Sequence, residues 1–388
     1  MATAIRPSDA VAQARPATVQ ARHAGYLFHP VVDFLLAGGG SLLVALPVIL
    51  LIRDKEAIKA SALWWGFALS NVINFPHFAN SYQLLYTGIG QRIFGAGSSQ
   101  KVRLRYIWAG FVAPVLILGF MFAAYALGHP RMLGYAANAM VFTTGWHYVK
   151  QGYGVITVLS AIRRIYYSEI EKRLLLLNGY VVWIYSWLAF NKALHEEKLY
   201  GVTYFTFDMP PTLLTIGAVA ATLTTAAVIV ALAVRIVVRR QSVSWNGIVG
   251  YVCALYLWVV AFYYDVIFAV FIPAFHSLQY LLFTWRYQLN KVSSEGPAAA
   301  DAAPVRRSRP AAFRFAKFVG LGLILGWSGF VGLPMLFHAS LSPDPVVFGP
   351  SVFVFIFVLW INIHHYFIDN VIWRRDNEDV RKYLFAPR

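Results

Sequence analysis

The stretch W-I-N-I-H-H-Y-F-I-D-N-V-I-W-R-R, Trp360 to Arg375, is apolar enough to lie in a lipid bilayer, yet it holds two adjacent histidines and an aspartate. Polar side chains at such depth are costly and tend to mark sites. The rest of the chain has the same character. Of its 388 residues, 59% are hydrophobic and only 13% charged. This composition belongs to an integral membrane protein and excludes a soluble domain.

Crossing about 30 Å of hydrocarbon takes about 20 apolar helical residues, and roughly ten segments qualify. They lie near 31-52, 62-88, 107-127, 133-158, 174-191, 212-238, 247-270, 272-291, 314-337 and 347-373. The expected fold is therefore an all-α polytopic bundle of about ten transmembrane helices. Basic residues concentrate in alternate connections: Arg92 to Arg105, Arg163 to Arg173, Arg235 to Arg240, Lys291 to Arg309, and the C-terminal Arg374 to Arg388. The intervening loops hold few cations. By the positive-inside rule, both termini and every basic loop are expected on the cytoplasmic side. The net charge of +16 is thus a topology signal. Nucleic acid is not an expected partner, because no basic motif sits on a soluble domain.

Residues 1-28 read as a disordered cytoplasmic tail, with an organellar transit peptide as the alternative for this acid-poor segment. Residues 29-388 form one transmembrane domain, interrupted by a flexible cytoplasmic linker at 292-312. The single cysteine, Cys253, leaves no disulfide framework and no cysteine-based metal site. The expected location is the inner membrane of a bacterium.

Of ten histidines, five fall inside predicted spans: His77, His147, His276, His364 and His365. The second, fourth, eighth and tenth spans hold them, and all four run in one direction across the membrane. Counting back from the cytoplasmic ends, His77 and His147 lie about 16 Å deep, and His276 and His364 about 15 Å deep. Imidazoles from four helices therefore share one level near the midplane. Each has an amide or acid one turn on: His77 and Asn80, His147 and Gln151, His276 and Gln279, His365 and Asp369. Residues three or four apart stack on one helix face, so these groups are candidate orienting partners for metal-bound imidazoles. Lys150, near mid-membrane, is read as an ion-pair partner of Asp369 or Asp265, with substrate or metal-site tuning as its alternative role.

A single buried histidine is commonly interhelical hydrogen-bond glue. Five at one depth point instead to a metal, and neutral imidazoles suit Fe(II), Zn(II), Cu or haem iron. Haem uses one or two axial histidines, and more converge here, which favours a non-haem centre. The expected ligands are His77, His147, His276 and His364, with His365 replacing His364 if it is the one facing inward. Tyr82, Tyr148, Tyr153, Tyr280 and Tyr366 would line an apolar pocket.

Membrane desaturases and alkyl hydroxylases carry HxxxH and HxxHH boxes, and this chain has neither. Phe75-Pro76-His77-Phe78 and Trp146-His147-Tyr148 resemble motifs of the Brp/Blh-type membrane beta-carotene dioxygenases. Asn80 stands where that family has an acid after its Pro-His, and the present chain is longer. The resemblance implies one iron held by histidines from separate helices. The expectation is a metal-dependent, non-haem iron oxygenase or hydroxylase acting on a membrane lipid or isoprenoid, with an electron donor as a further partner. A membrane haem protein for electron transfer, or a transporter or lipid-binding scaffold, is the alternative.

Overall fold

A computed structural model describes residues 25–51, 55–199, 201–264, 269–294, 309–374 and 376–385. Residues 1–24 of the expected N-terminal tail and most of the 292-312 linker lie outside these residues, as does Asp265. The described chain is almost wholly helical. One short hairpin, Lys198–Leu199 paired with Val202–Thr203, is the exception.

Among the described residues, six helices are long and apolar enough to cross a membrane: Pro30–Pro47, Gln100–Ala126, Glu169–Ala193, Pro211–Val238, Pro310–Leu341 and Val352–Ile372. The chain is therefore an all-α integral membrane protein. The other segments expected to span are helical too, and Trp245–Ala261 is an apolar helix of shorter length. Those carrying His77, His147 and His276 (Phe75–Tyr86, Pro130–Ile162 and Ile272–Ser294) owe their lower hydropathy to the polar groups they bring inward.

Val352–Ile372 is the central helix, with 67% of its apolar window buried against 17% for Pro211–Val238 at the periphery. Around it, Phe353, Phe355, Ile356 and Leu359 pack on Leu133 and Ala137 of the His147 helix and on Met121 of a neighbouring span. The six-span helices could tolerate apolar faces all round because their outer surfaces meet lipid, not water.

Widened helical turns recur at prolines. Short π-helical segments, Ser70–Asn74, Trp108–Val112 and Ser328–Gly332, each run directly into a buried proline: Pro76, Pro114 and Pro334. Proline has no N–H and its ring clashes with the carbonyl four residues back, so a wider turn relieves the clash and keeps the helix continuous.

The basic connections meet one another. Arg92 pairs with Asp379, Arg105 lies 3.0 Å from Asp376, and Tyr287 packs against Tyr383 of the C-terminal Glu378–Leu384 helix. Arg235 lies 2.9 Å from Glu171, and Arg163 sits over the Tyr26 ring. The acid-bearing and neutral loops gather elsewhere, where Gly201 backs onto Gly349 and Tyr125 packs on Phe348.

Close approach of two helices fixes where His77 sits. A side chain at Gly326 would put its Cβ 2.6 Å from the carbonyl carbon of Phe75, and one at Gly322 would overlap Asn80. In a bilayer, small residues of this kind let backbones touch and gain van der Waals contact. Gly326→Leu should push the Arg309–Trp327 helix off the His77 helix and cost about 1–3 kcal/mol by overpacking. Thermal unfolding in detergent measures this, and an unchanged midpoint would show that the contact is not close.

Candidate metal centre

Four histidines from four helices meet in the interior. His77, His147, His276 and His365 are all buried. Their rings form a closed circuit, with centroid separations of 4.5 Å for His77–His365, 5.1 Å for His365–His147, 5.0 Å for His147–His276 and 5.5 Å for His276–His77. The shared depth read from the sequence is thus realised as contact.

The hydrogen bonds behind the rings decide which nitrogens face the centre. His77 Nδ1 lies 3.1 Å from the carbonyl oxygen of Asn74, an acceptor only, so this nitrogen carries the proton. Ser277 Oγ also lies 3.0 Å from His77 Nδ1, and its own hydroxyl hydrogen has acceptors in Pro273 O and Asn74 Oδ1. His365 Nδ1 lies 2.8 Å from Ser81 Oγ, whose hydrogen is directed to Phe78 O at 2.7 Å. Ser81 therefore accepts from His365, and this ring too is protonated on Nδ1.

The consequence is a pair of bare lone pairs. His77 Nε2 and His365 Nε2 face each other at 3.0 Å, and neither has a hydrogen to offer. Asp369 Oδ2 lies 3.2 Å from His365 Nε2 and 3.7 Å from His147 Nε2. His147 Nε2 and His276 Nδ1 are buried without a hydrogen-bond partner. So many acceptors at such range repel unless a cation sits among them.

The spacing suits a transition metal. With metal–nitrogen bonds of about 2.0–2.1 Å, two ligands lie about 3.0 Å apart at a right angle and about 3.4 Å apart at a tetrahedral angle. The ligand atoms of His77, His276 and His365, and those of His147, His365 and Asp369, lie within 4.8 Å of one another in each set. These buried groups could hold a metal ion.

Aromatic rings wall the cluster. Tyr148 stacks on His276 with centroids 3.9 Å apart and planes 5° from parallel. Tyr366 stacks on His147 at 4.8 Å, its hydroxyl 2.6 Å from Thr144 Oγ1. Tyr280 touches His77 and donates to Asp369 Oδ1 at 3.1 Å.

Several expected roles change. His364 is not in the cluster: its Nε2–H donates to Ala109 O at 2.7 Å, and its Nδ1 accepts from Tyr82 at 2.7 Å. Adjacent helical residues point about 100° apart, so only one of the pair can face inward, and it is His365. The widened turn carries the Ala113 N–H to Trp108 O, which leaves the Ala109 carbonyl without its donor four residues on, and His364 supplies one.

Asn80 was expected to orient His77, but it accepts from Gln83 at 3.2 Å on the side facing Gly322. A step of three residues turns about 60° off the His77 direction, and a step of four, to Ser81, turns only about 40°. Gln151 and Gln279 do not orient imidazoles either. Gln151 donates to the His276 backbone carbonyl at 2.9 Å and to Gln279 at 3.1 Å, and Gln279 donates to Ala37 O and Gly250 O. They tie helices together.

Lys150 forms no ion pair with Asp369. It is exposed, its ammonium 5.9 Å above Trp146 and 5.6 Å above Tyr180. On the outer face of its helix those ring faces are the nearest negative potential, while Asp369 is enclosed by Tyr280 and the histidines. Asp369 keeps its place beside His365, close enough to be a ligand as well as a partner.

The residues missed in the sequence are Ser81, Asn74 and Ser277. Ser81 lies one turn beyond His77, Asn74 three residues before it, and Ser277 directly after His276. The one-turn rule applied to hydroxyls and carbonyls, as it was to amides, would have found the first two.

Comparison of the chain with protein-family models, with curated proteins and with solved structures finds no match.

Ser81→Ala removes the acceptor that holds His365 in its present tautomer. Loss of such an outer partner typically lowers metal affinity about 10–100-fold. Chelator competition on purified protein should show that loss with the helical content intact; an unchanged dissociation constant would refute the tautomer assignment.

Proposed function

We propose that this chain is an integral-membrane, non-haem iron oxygenase or hydroxylase acting on a lipid or isoprenoid substrate. The observation that carries the reading is the opposition of His77 Nε2 and His365 Nε2 at 3.0 Å, with the Asp369 carboxylate beside them. Lone pairs so arranged in an apolar interior favour a bound cation between them.

His147, His365 and Asp369 provide the two-histidine, one-carboxylate set suited to Fe(II) with positions open to O2. His77 and His276 would add two further nitrogens, which would still leave one of six positions for O2. Bound iron would supply the oxygen chemistry that no side chain here can perform alone. The chain's own groups hold the ligands in their tautomers, keep water out with Tyr148 and Tyr366, and place the Tyr280 hydroxyl on Asp369. A hydroxylase also consumes two electrons per O2, so that reaction would need an electron donor at the protein's surface; a dioxygenase would need none. Haem is disfavoured by shape, because imidazole rings in mutual contact leave no flat slot for a porphyrin.

The ten-span topology with both termini cytoplasmic belongs to the same proposal. It is supported by the contacts of Arg92 and Arg105 with the C-terminal segment, of Arg235 with Glu171 and of Arg163 with Tyr26, which connections on one side of the membrane would make. A bacterial inner membrane would place that basic face toward the cytoplasm.

Metal analysis and an absorption spectrum of purified protein test the centre. About one iron per chain without a Soret band is expected; a Soret band would favour a haem protein, and no stoichiometric metal would sink the reading. Alanine at His77, His147, His276 or His365 should abolish metal retention, and alanine at His364, His195 or His338 should leave it intact. Equal retention across the series would overturn the ligand assignment.

A further inference from the structure

A cleft lies one ring away from the histidine cluster. It runs between the Pro130–Ile162, Glu169–Ala193 and Trp245–Tyr264 helices and encloses about 400 Å³ of unfilled space counted to its open mouth. Trp183, Trp187, Phe190, Trp258 and Tyr148 line it, together with Ser186. The wall shared with the metal centre is Tyr148, whose other face stacks on His276 at 3.9 Å.

Two features show a built cavity. The first is Gly145, two residues before His147: a Cβ there would overlap the Trp183 indole, so the absent side chain leaves room for that wall. The second is the state of the polar groups. Trp183 donates its indole N–H to Phe142 O at 2.8 Å and Trp187 donates to Asn138 Oδ1 at 2.9 Å, so both present apolar ring faces. Ser186 Oγ is different. Its residue is only 9% exposed and the hydroxyl has no hydrogen-bond partner, although a helical serine commonly bonds a carbonyl of the preceding turn. A buried hydroxyl left unpaired is destabilising, and a ligand oxygen would remove that cost.

We propose that this cleft binds a slender, lipid-soluble chain bearing one hydroxyl or carbonyl, with Ser186 holding the oxygen and the aromatic rings holding the chain. The Glu169–Ala193 helix is long and apolar enough to cross a membrane and the Trp245–Ala261 segment beside it is apolar, so a lipid-soluble ligand is the class that would reach such a cleft. The lining is aromatic and aliphatic apart from Ser186 and offers no cation, which suits a hydrocarbon chain and not a phosphate headgroup. This deepens the metal-centre reading by naming the substrate class, and it rests on that reading for any chemistry that follows; the binding itself does not need the metal. Tyr148 then stands between the bound chain and His276.

The test uses the full-length purified protein in detergent, with oleyl alcohol brominated across its double bond as the probe. Bromine quenches tryptophan at contact, and three indoles line the cleft. Saturable quenching that unbrominated oleyl alcohol reverses is expected, with an octadecene chain lacking the hydroxyl competing more weakly. Ser186→Ala should weaken binding roughly three- to tenfold, and Ser186→Phe, which fills the cleft, should remove the saturable component while iron content stays at the wild-type value. Absence of saturable quenching, equal competition by the hydrocarbon, or quenching unaltered in both variants would overturn the proposal. Iron is read separately on the same samples. Saturable quenching that is sensitive to Ser186 in protein without iron would uphold the cleft and sink the metal centre; iron without quenching would do the reverse.

Discussion

Everything around the centre of this bundle is arranged to hold two imidazole lone pairs 3.0 Å apart, where water cannot separate them. The contact is repulsive by itself, and it persists because each ring is fixed from behind. Asn74 and Ser277 anchor His77, and Ser81 anchors His365. Those anchors depend in turn on helix contacts: on glycines that let one helix lie flat against Phe75 and Asn80, and on the glutamine pair that ties the His147 and His276 helices. The apolar packing of the central helix is the platform for a polar arrangement that would otherwise fly apart.

The same arrangement explains which polar groups are structural. His364, next in sequence to a cluster histidine, repairs the Ala109 carbonyl that the widened turn before Pro114 leaves without a donor. Gln279 does similar work for Ala37 and Gly250. Lys150 turns outward to aromatic faces. Residues of one chemical type thus divide between site and scaffold by helical phase alone, and a turn of about 100° separates the two fates.

Much of this was legible in the sequence. Composition gave an integral membrane bundle, and counting residues back from the basic helix ends put five histidines at one depth, four of which do meet. What sequence could not give was azimuth. Depth follows from rise per residue, but the direction a side chain faces depends on how each helix is rotated against its neighbours. For that reason Asn80, Gln151 and Gln279 were assigned to the rings and belong to the packing. The tautomers were beyond reach for another reason: sequence spacing brings Asn74 and Ser81 to the His77 helix, but that Ser81 bonds His365 across to another helix appears only in three dimensions.

The π-helical turn at Ser70–Asn74 has a consequence for how such a site can change. A widened turn is one residue spliced into a continuous helix, and it decouples the phase of the segments on either side. Upstream of it, the helix can be redrawn to suit a different lipid environment without rotating His77. Insertions and deletions in related chains should therefore collect at these turns, and an alignment gap beside Pro76, Pro114 or Pro334 would mark a conserved geometry, not a lost one.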